Sequence, residues 1–436
     1  MFHNAVYTVL ENAIVLGAKV ATALLLSWLI GATAQGEYML FAASYALTTI
    51  FSVVGLDTSS NYWRARLRSE TAHAAVAGNA LLLALVMGVT GTGALALVLK
   101  YTMLLSALSD ETAQFLFLSI LPGTLALTLG SLIYGADRFR DHFIGTSLHN
   151  GVFLIGALSF AVQGQLTVPA AIFWWLIGLL LSTGYWAVIV WRDAGNRLLL
   201  NLKMLRRQFM YGLRAAPYFV TSATNFRADN FLIVYYLGLA PLGIYSIAAA
   251  ATEVFLYLPR SLANVVLTRY SPSWGDGIAP VLRILSAAFL TLFIPAAILI
   301  PFAILLLFSA EFEQARWVAL ILLPATYPMA MAIVSCFYLF GRGKIWQASV
   351  AASGGALVTV GANALLIPVA GLYGAGIASV LSYSAFLAVT LFWLMRTDQL
   401  DVKEALRPDF KGLRLTIKAV FLEFFPQAHD ARQRDG

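Results

Sequence analysis

Residues 5–30 form a long apolar run, and eleven more runs of similar length follow it. A helix needs roughly 20 apolar residues to cross the hydrocarbon core of a bilayer. On that rule the spans are expected at 5–30, 37–63, 74–99, 112–136, 143–163, 169–191, 213–237, 242–268, 279–308, 315–340, 345–368 and 371–395. Prolines interrupt several of them, among them Pro122, Pro295, Pro301, Pro324 and Pro328. A span tolerates this where neighbouring helices or a cavity satisfy the freed backbone.

Composition agrees: 60% of the residues are hydrophobic and 11% are charged, against about a quarter charged in a soluble domain. The first run carries Glu11 and Lys19 and is too long and too charged for a signal-peptide core, so it reads as the first span. Cys336 is the single cysteine, which rules out an internal disulfide. The five histidines (His3, His73, His142, His149 and His429) show no metal-ligand spacing. No metal or cofactor is expected.

Lysine and arginine set the direction of the spans. With basic residues near the span ends counted in the adjoining connections, those after the even spans carry 16 of the 28, and those after the odd spans carry 2. The positive-inside rule then puts both termini and every even connection in the cytoplasm. The same distribution accounts for the net charge of +7 without any nucleic acid. The outer connections are too short to hold a folded domain.

Two short motifs recur. "GATAQGEY" carries Gly31, Gly36 and Tyr38 between spans 1 and 2, and "GLAPLGIY" carries Gly238, Gly243 and Tyr245 between spans 7 and 8. Both read G-x4-G-x-Y. "ILPGT" in span 4 (Pro122, Thr124) is echoed by "LLPAT" in span 10 (Pro324, Thr326). Six spans separate each pair, so the two halves share one orientation, as in transporters built from parallel repeats. The expected fold is an all-α polytopic membrane protein: twelve transmembrane helices in two parallel six-helix repeats around a central cavity. Residues 1–195 would form the first half, 196–212 a cytoplasmic linker, 213–395 the second half and 396–436 a cytoplasmic tail. In that tail Leu413, Ile417, Val420 and Phe424 recur at helical spacing among Lys411, Arg414 and Lys418, which reads either as a helix lying on an anionic membrane surface or as a solvated tail.

Glu11, Lys19, Asp57, Arg227, Asp229 and Glu253 stand within spans 1, 2, 7 and 8. Each costs about 2.5–3.5 kcal/mol at a helix centre, so each needs a partner or water. Arg227 and Asp229 are two residues apart and point to different sides of their helix, so they do not pair directly. Lys19 falls one residue from the repeat position of Arg227. Two readings follow. In one, Lys19, Arg227, Asn225 and Asn12 line a cavity for an anionic headgroup, and Asp229, Glu253, Glu11 and Asp57 couple transport to an ion. In the other, these residues are buried ion pairs holding the halves together, and Asp57 is a solvated helix end. Neither a G-x-x-x-x-G-K-[ST] loop nor a G-x-S-x-G nucleophile turn is present, so no nucleotide hydrolysis or other enzymatic step is expected.

"LLLSWLIGATAQGEYMLFAASYALTTIFSVVGLD", "RADNFLIVYYLGLAPLGIYSIAAAATEVF" and "IPVAGLYGAGIASVLSYS" resemble the first, seventh–eighth and last helix pairs of bacterial polysaccharide translocases. These form the flippase branch of the multidrug/oligosaccharidyl-lipid/polysaccharide exporter superfamily. The resemblance spans most of residues 5–395. It implies a flippase of the cytoplasmic (inner) membrane. Its cargo would be a polyprenyl-pyrophosphate-linked oligosaccharide used for O-antigen, capsule or exopolysaccharide. It also implies partners: the lipid-linked oligosaccharide, membrane lipids, and a polysaccharide polymerase with its chain-length regulator. A cation-coupled drug or small-molecule exporter of the same fold is the alternative. A membrane enzyme or an assembly scaffold of the pathway is a third, against which the small outer connections argue.

Overall fold

The computed structural model describes residues 2–101, 107–269 and 277–424, and among these every regular element is a helix. The first half contains α1 (Phe2–Leu29), α2 (Ala32–Val53), α3 (Leu56–Arg66), α4 (Glu70–Tyr101), α5 (Asp110–Gly135), α6 (Phe139–Val162) and α7 (Val168–Asp193). The second contains α8 (Leu202–Leu237), α9 (Leu239–Glu253), α10 (Tyr257–Arg269), α11 (Ala279–Leu307), α12 (Glu313–Gly341) and α13 (Ile345–Asp398). Two short helices, α14 (Val402–Leu406) and α15 (Phe410–Phe424), follow.

These elements give twelve crossings. Nine described helices are long and apolar enough to cross a membrane singly, and α2 with α3 makes a tenth, bent by 54°. The bend sits at Val54 and Gly55, both in the left-handed region. α13 turns back at Gly371, whose φ of 58° and ψ of −135° divide it into the expected eleventh and twelfth spans. The remaining crossing is α8, depleted of apolar residues by Asn225, Arg227, Asp229 and Asn230. The expected eighth span is likewise broken, with a 3-10 turn over Val254–Leu256 between α9 and α10.

α8 begins earlier than the sequence reading places it. Asn201 caps it by accepting from Met204 N at 3.0 Å, and Asn201 exchanges a pair of hydrogen bonds with Asn79 on α4. Most of the expected linker at 196–212 is therefore helix fastened to the first half. Ser59 on α3 donates to the Gln208 carbonyl at 2.7 Å, and Gly55 lies against Gly212 so closely that neither has room for a side chain. In the tail, α15 forms where the apolar spacing predicts. Asp409 caps it through Gly412 N at 2.8 Å and donates its own N–H to the Arg283 carbonyl at 3.1 Å. Ile417 is exposed and Leu413 partly covered; the side chains of Val420 and Phe424, like His429, lie outside the described residues.

The backbone repeats where the sequence does. Gly31 (φ 94°, ψ −176°) and Gly238 (φ 92°, ψ −172°) have almost the same conformation. They turn α1 into α2 and α8 into α9. Gly164 and Gly371, again 207 positions apart, are both left-handed, at φ 67° and 58°. Asp137 and Gly343 follow the pattern at an offset of 206, with φ 57° and 74°. Two six-helix repeats thus pack with α2 against α9 at the centre.

Candidate functional site: a cavity between the halves

A cavity of about 400 Å³ lies between the halves, walled by α1, α2, α6, α7, α8, α9, α12 and the second limb of α13. Its volume is in the range of small-molecule sites. Of the expected cavity residues, Lys19 and Arg227 line it, so the two repeat-related cations do meet in one space. Asp229 and Glu253 line it as well.

The charges are not equivalent. Arg227 Nη1 is 3.8 Å from Glu253 Oε1, so this cation is balanced by a carboxylate one helix away. Asp229 is 5% exposed and accepts from the Tyr245 hydroxyl at 2.6 Å and from Asn230 N at 2.9 Å. Tyr245 also lies 3.2 Å from Ser379 Oγ, which ties α8, α9 and α13 together. Lys19 is exposed and has no salt-bridge partner among the described residues. Its Nζ is 3.5 Å from the Tyr257 hydroxyl and 6.0 Å from that ring's centre. Lys19 and Arg227 are matched in number by Asp229 and Glu253, so the wall carries no net charge, and Lys19 is the cation in it that makes no salt bridge among the described residues.

Three expected site residues lie elsewhere, and a fourth is outside the lining. Asn225 is turned into the α8–α13 contact, where it donates to the Ala352 carbonyl at 3.0 Å and accepts from Thr359 Oγ1 at 2.8 Å. Its polarity is spent on helix packing. Glu11 accepts from the Tyr134 hydroxyl at 3.1 Å and Thr146 Oγ1 at 3.3 Å, and sits 3.0 Å from His142 Nδ1. It joins α1 to α5 and α6 within one half. Asp57 stands in the first turn of α3, half-buried, with the Thr58 hydroxyl at 3.5 Å. Asn12 is not among the residues lining the cavity. Arg260, which falls within the expected eighth span, lies in α10 with its guanidinium 4.9 Å above the Phe226 ring.

Much of the wall is neutral and, apart from Asn230, which shares a face of α8 with Arg227, was not legible as a site. Gln35, Tyr38, Trp175, Asn230, Tyr245 and Ser246 contribute amide, hydroxyl and ring surface. Gln35, Tyr38 and Tyr245 belong to the repeated G-x4-G-x-Y turns, the one signal in the sequence that points towards them. Gln35 Nε2 donates to Ser246 Oγ at 3.2 Å, from one half to the other. Gln35 Oε1, Asn230 Nδ2 and His149 Nε2 are buried without a hydrogen-bond partner among the described residues, and all three side chains belong to the cavity wall. No group of histidine, cysteine and carboxylate suited to a metal occurs among the described residues.

No protein-family model matches this chain, and no curated protein matches it. Solved structures do. An inward-facing multidrug resistance MATE family transporter of the MOP superfamily superposes with a TM-score of 0.68 at 15% identity, covering 88% of this chain and 94% of that one. The outward-facing conformation of such a transporter gives 0.65 at 16%, covering 90% and 94%. A MATE structure in the straight conformation gives 0.61 at 15%, covering 91% and 95%. At this identity the likeness concerns architecture, and the chain has the fold of the MATE transporters.

Proposed function

We propose that this protein is a flippase that moves polyprenyl-pyrophosphate-linked oligosaccharide units across the cytoplasmic membrane for surface polysaccharide synthesis. The observation that supports the reading is the cavity between two parallel halves, with Lys19 in its wall outside any salt bridge among the described residues. A pyrophosphate is dianionic or more, and a lysine or arginine cation meets it with charge-assisted hydrogen bonds. The prenyl chain stays in lipid while the halves rock about the α2–α9 contact, exposing the cavity alternately to each side. The positive-inside distribution supports cytoplasmic termini. Asp229 and Glu253 are the carboxylates placed to couple this motion to an ion gradient, at about 2.3 kcal/mol per charge per 100 mV. A polysaccharide polymerase and its chain-length regulator are the partners such a step would feed.

The second reading, export of small molecules driven by a cation gradient, is favoured by the multidrug-resistance transporters that share the fold. Right-side-out vesicles separate the two. Outer-leaflet labelling of lipid-linked repeat units should need the protein and should be lost in Lys19→Met at normal protein level. Unchanged labelling without the protein, together with efflux of cationic dyes in its presence, would instead support the exporter.

A further inference from the structure

The cavity is stratified along the bundle axis. Helical rise gives the depth of each residue below the end that carries the Gly31 and Gly238 turns, the closed end, where α2 and α9 pack backbone to backbone. Gln35 is three residues into α2, about 5 Å down. Tyr38 on α2, Trp175 on α7, and Tyr245 and Ser246 on α9 are six or seven residues from that end, and Asn230 is seven from the end of α8, all about 10 Å down. Each of these is uncharged. Lys19 and Arg227 are each ten residues from the same end, about 15 Å down, and Glu253 is deeper still. Asp229 stands between the two levels with its carboxylate held by Tyr245.

The neutral layer holds two polar atoms that protein partners leave unsatisfied. Gln35 and Asn230 are 3% and 4% exposed. Gln35 Oε1 is an acceptor and Asn230 Nδ2 a donor, both buried and without partners. Leaving such atoms unpaired is costly, so a ligand that pairs them gains. Both side chains belong to the cavity wall, and the terminal torsions of Asn and Gln are broad. Trp175 adds a rigid aromatic surface, held edge-on by Tyr45 at 4.7 Å and Phe41 at 5.4 Å.

From this layering we infer that Gln35, Asn230 and Trp175 form a subsite for an uncharged, hydroxyl-rich ring, a sugar residue, separate from the cationic level at Lys19. A sugar hydroxyl both donates and accepts, so the hydroxyls of one ring can pair with the Gln35 amide oxygen and with the Asn230 amide nitrogen, while the ring's C–H face packs on an indole. The charged group of the same ligand then lies deeper, against Lys19. The ligand enters glycan first, with its sugar towards the closed end and its pyrophosphate behind. The inference rests on the flippase reading and adds the orientation and the residues that read the sugar.

The test uses the full chain in lipid nanodiscs and two probes: undecaprenyl pyrophosphate, and the same lipid carrying one N-acetylglucosamine. The wild type should bind the sugar-bearing lipid more tightly than the bare one. Gln35→Met and Asn230→Leu should each weaken the sugar-bearing lipid by about tenfold and leave the bare lipid unchanged. Lys19→Met should weaken both alike. The subsite is overturned if both probes bind the wild type equally, or if the amide variants weaken both probes together. If neither probe binds the wild type, the flippase reading fails, a result distinct from loss of the subsite alone. Where an apolar variant does not yield monodisperse protein, Gln35→Asn takes its place with the same selectivity expected.

Discussion

Gly36 and Gly243 face each other across the contact of α2 with α9, and each occupies the place where the other's helix leaves no room for a side chain. A Cβ on Gly36 would overlap the Leu239 carbonyl, and a Cβ on Gly243 would overlap the Ala32 carbonyl. Ala32 and Leu239 are themselves repeat-related, so the contact is reciprocal, as a two-fold axis between the halves requires. Small residues let transmembrane backbones approach in this way. Gly36→Ala and Gly243→Ala should therefore each destabilise the protein by at least the ~1–3 kcal/mol typical of overpacking, and by similar amounts. Melting temperatures of the two purified variants check this; tolerance of one and not the other would contradict the reciprocal packing.

Arg227 and Glu253 should behave as a unit. Either Arg227→Met or Glu253→Gln alone leaves a partly buried charge without its partner, a loss of up to ~3–5 kcal/mol for a buried pair. The double variant should recover part of that. A double-mutant cycle on thermal stability measures the coupling, and additive single effects would show that the 3.8 Å pair contributes nothing.

Asn225 and Lys19 should separate folding from transport. Asn225→Leu removes the bonds to the Ala352 carbonyl and the Thr359 hydroxyl, at about 1–3 kcal/mol, and should lower protein level while each folded molecule still transports. Lys19→Met removes an exposed charge, should leave the melting temperature nearly unchanged, and should abolish transport. Flipping rate normalised to folded protein is the readout.

Glu11 should act as a brace. Glu11→Ala leaves the Tyr134, Thr146 and His142 groups without their shared acceptor, about 1–3 kcal/mol, whereas Glu11→Gln keeps an acceptor oxygen in place. Gln at this position is expected to retain stability and transport. Normal stability with loss of gradient-driven transport in Glu11→Gln would instead make it a coupling site.

The sequence by itself determined the number of crossings, the repeat and the presence of two in-span cations. These depend on run length, on glycines that must turn the chain at fixed places, and on charges that a bilayer penalises wherever they stand. Tertiary structure decided what each polar residue is for. Asn225 and Asp229 share a face of α8, yet one is consumed by α13 while the other reaches the cavity, because which neighbour covers a given turn is a property of helix packing and not of helical spacing. Glu11 and Glu253 both looked like cavity carboxylates, but the first meets donors from its own half and the second meets Arg227. Asn230 stands out in sequence only through its place beside Arg227 and Asp229, Gln35 only through the repeated turn, and Trp175 not at all; only the approach of α2, α7 and α8 around one space brings them together.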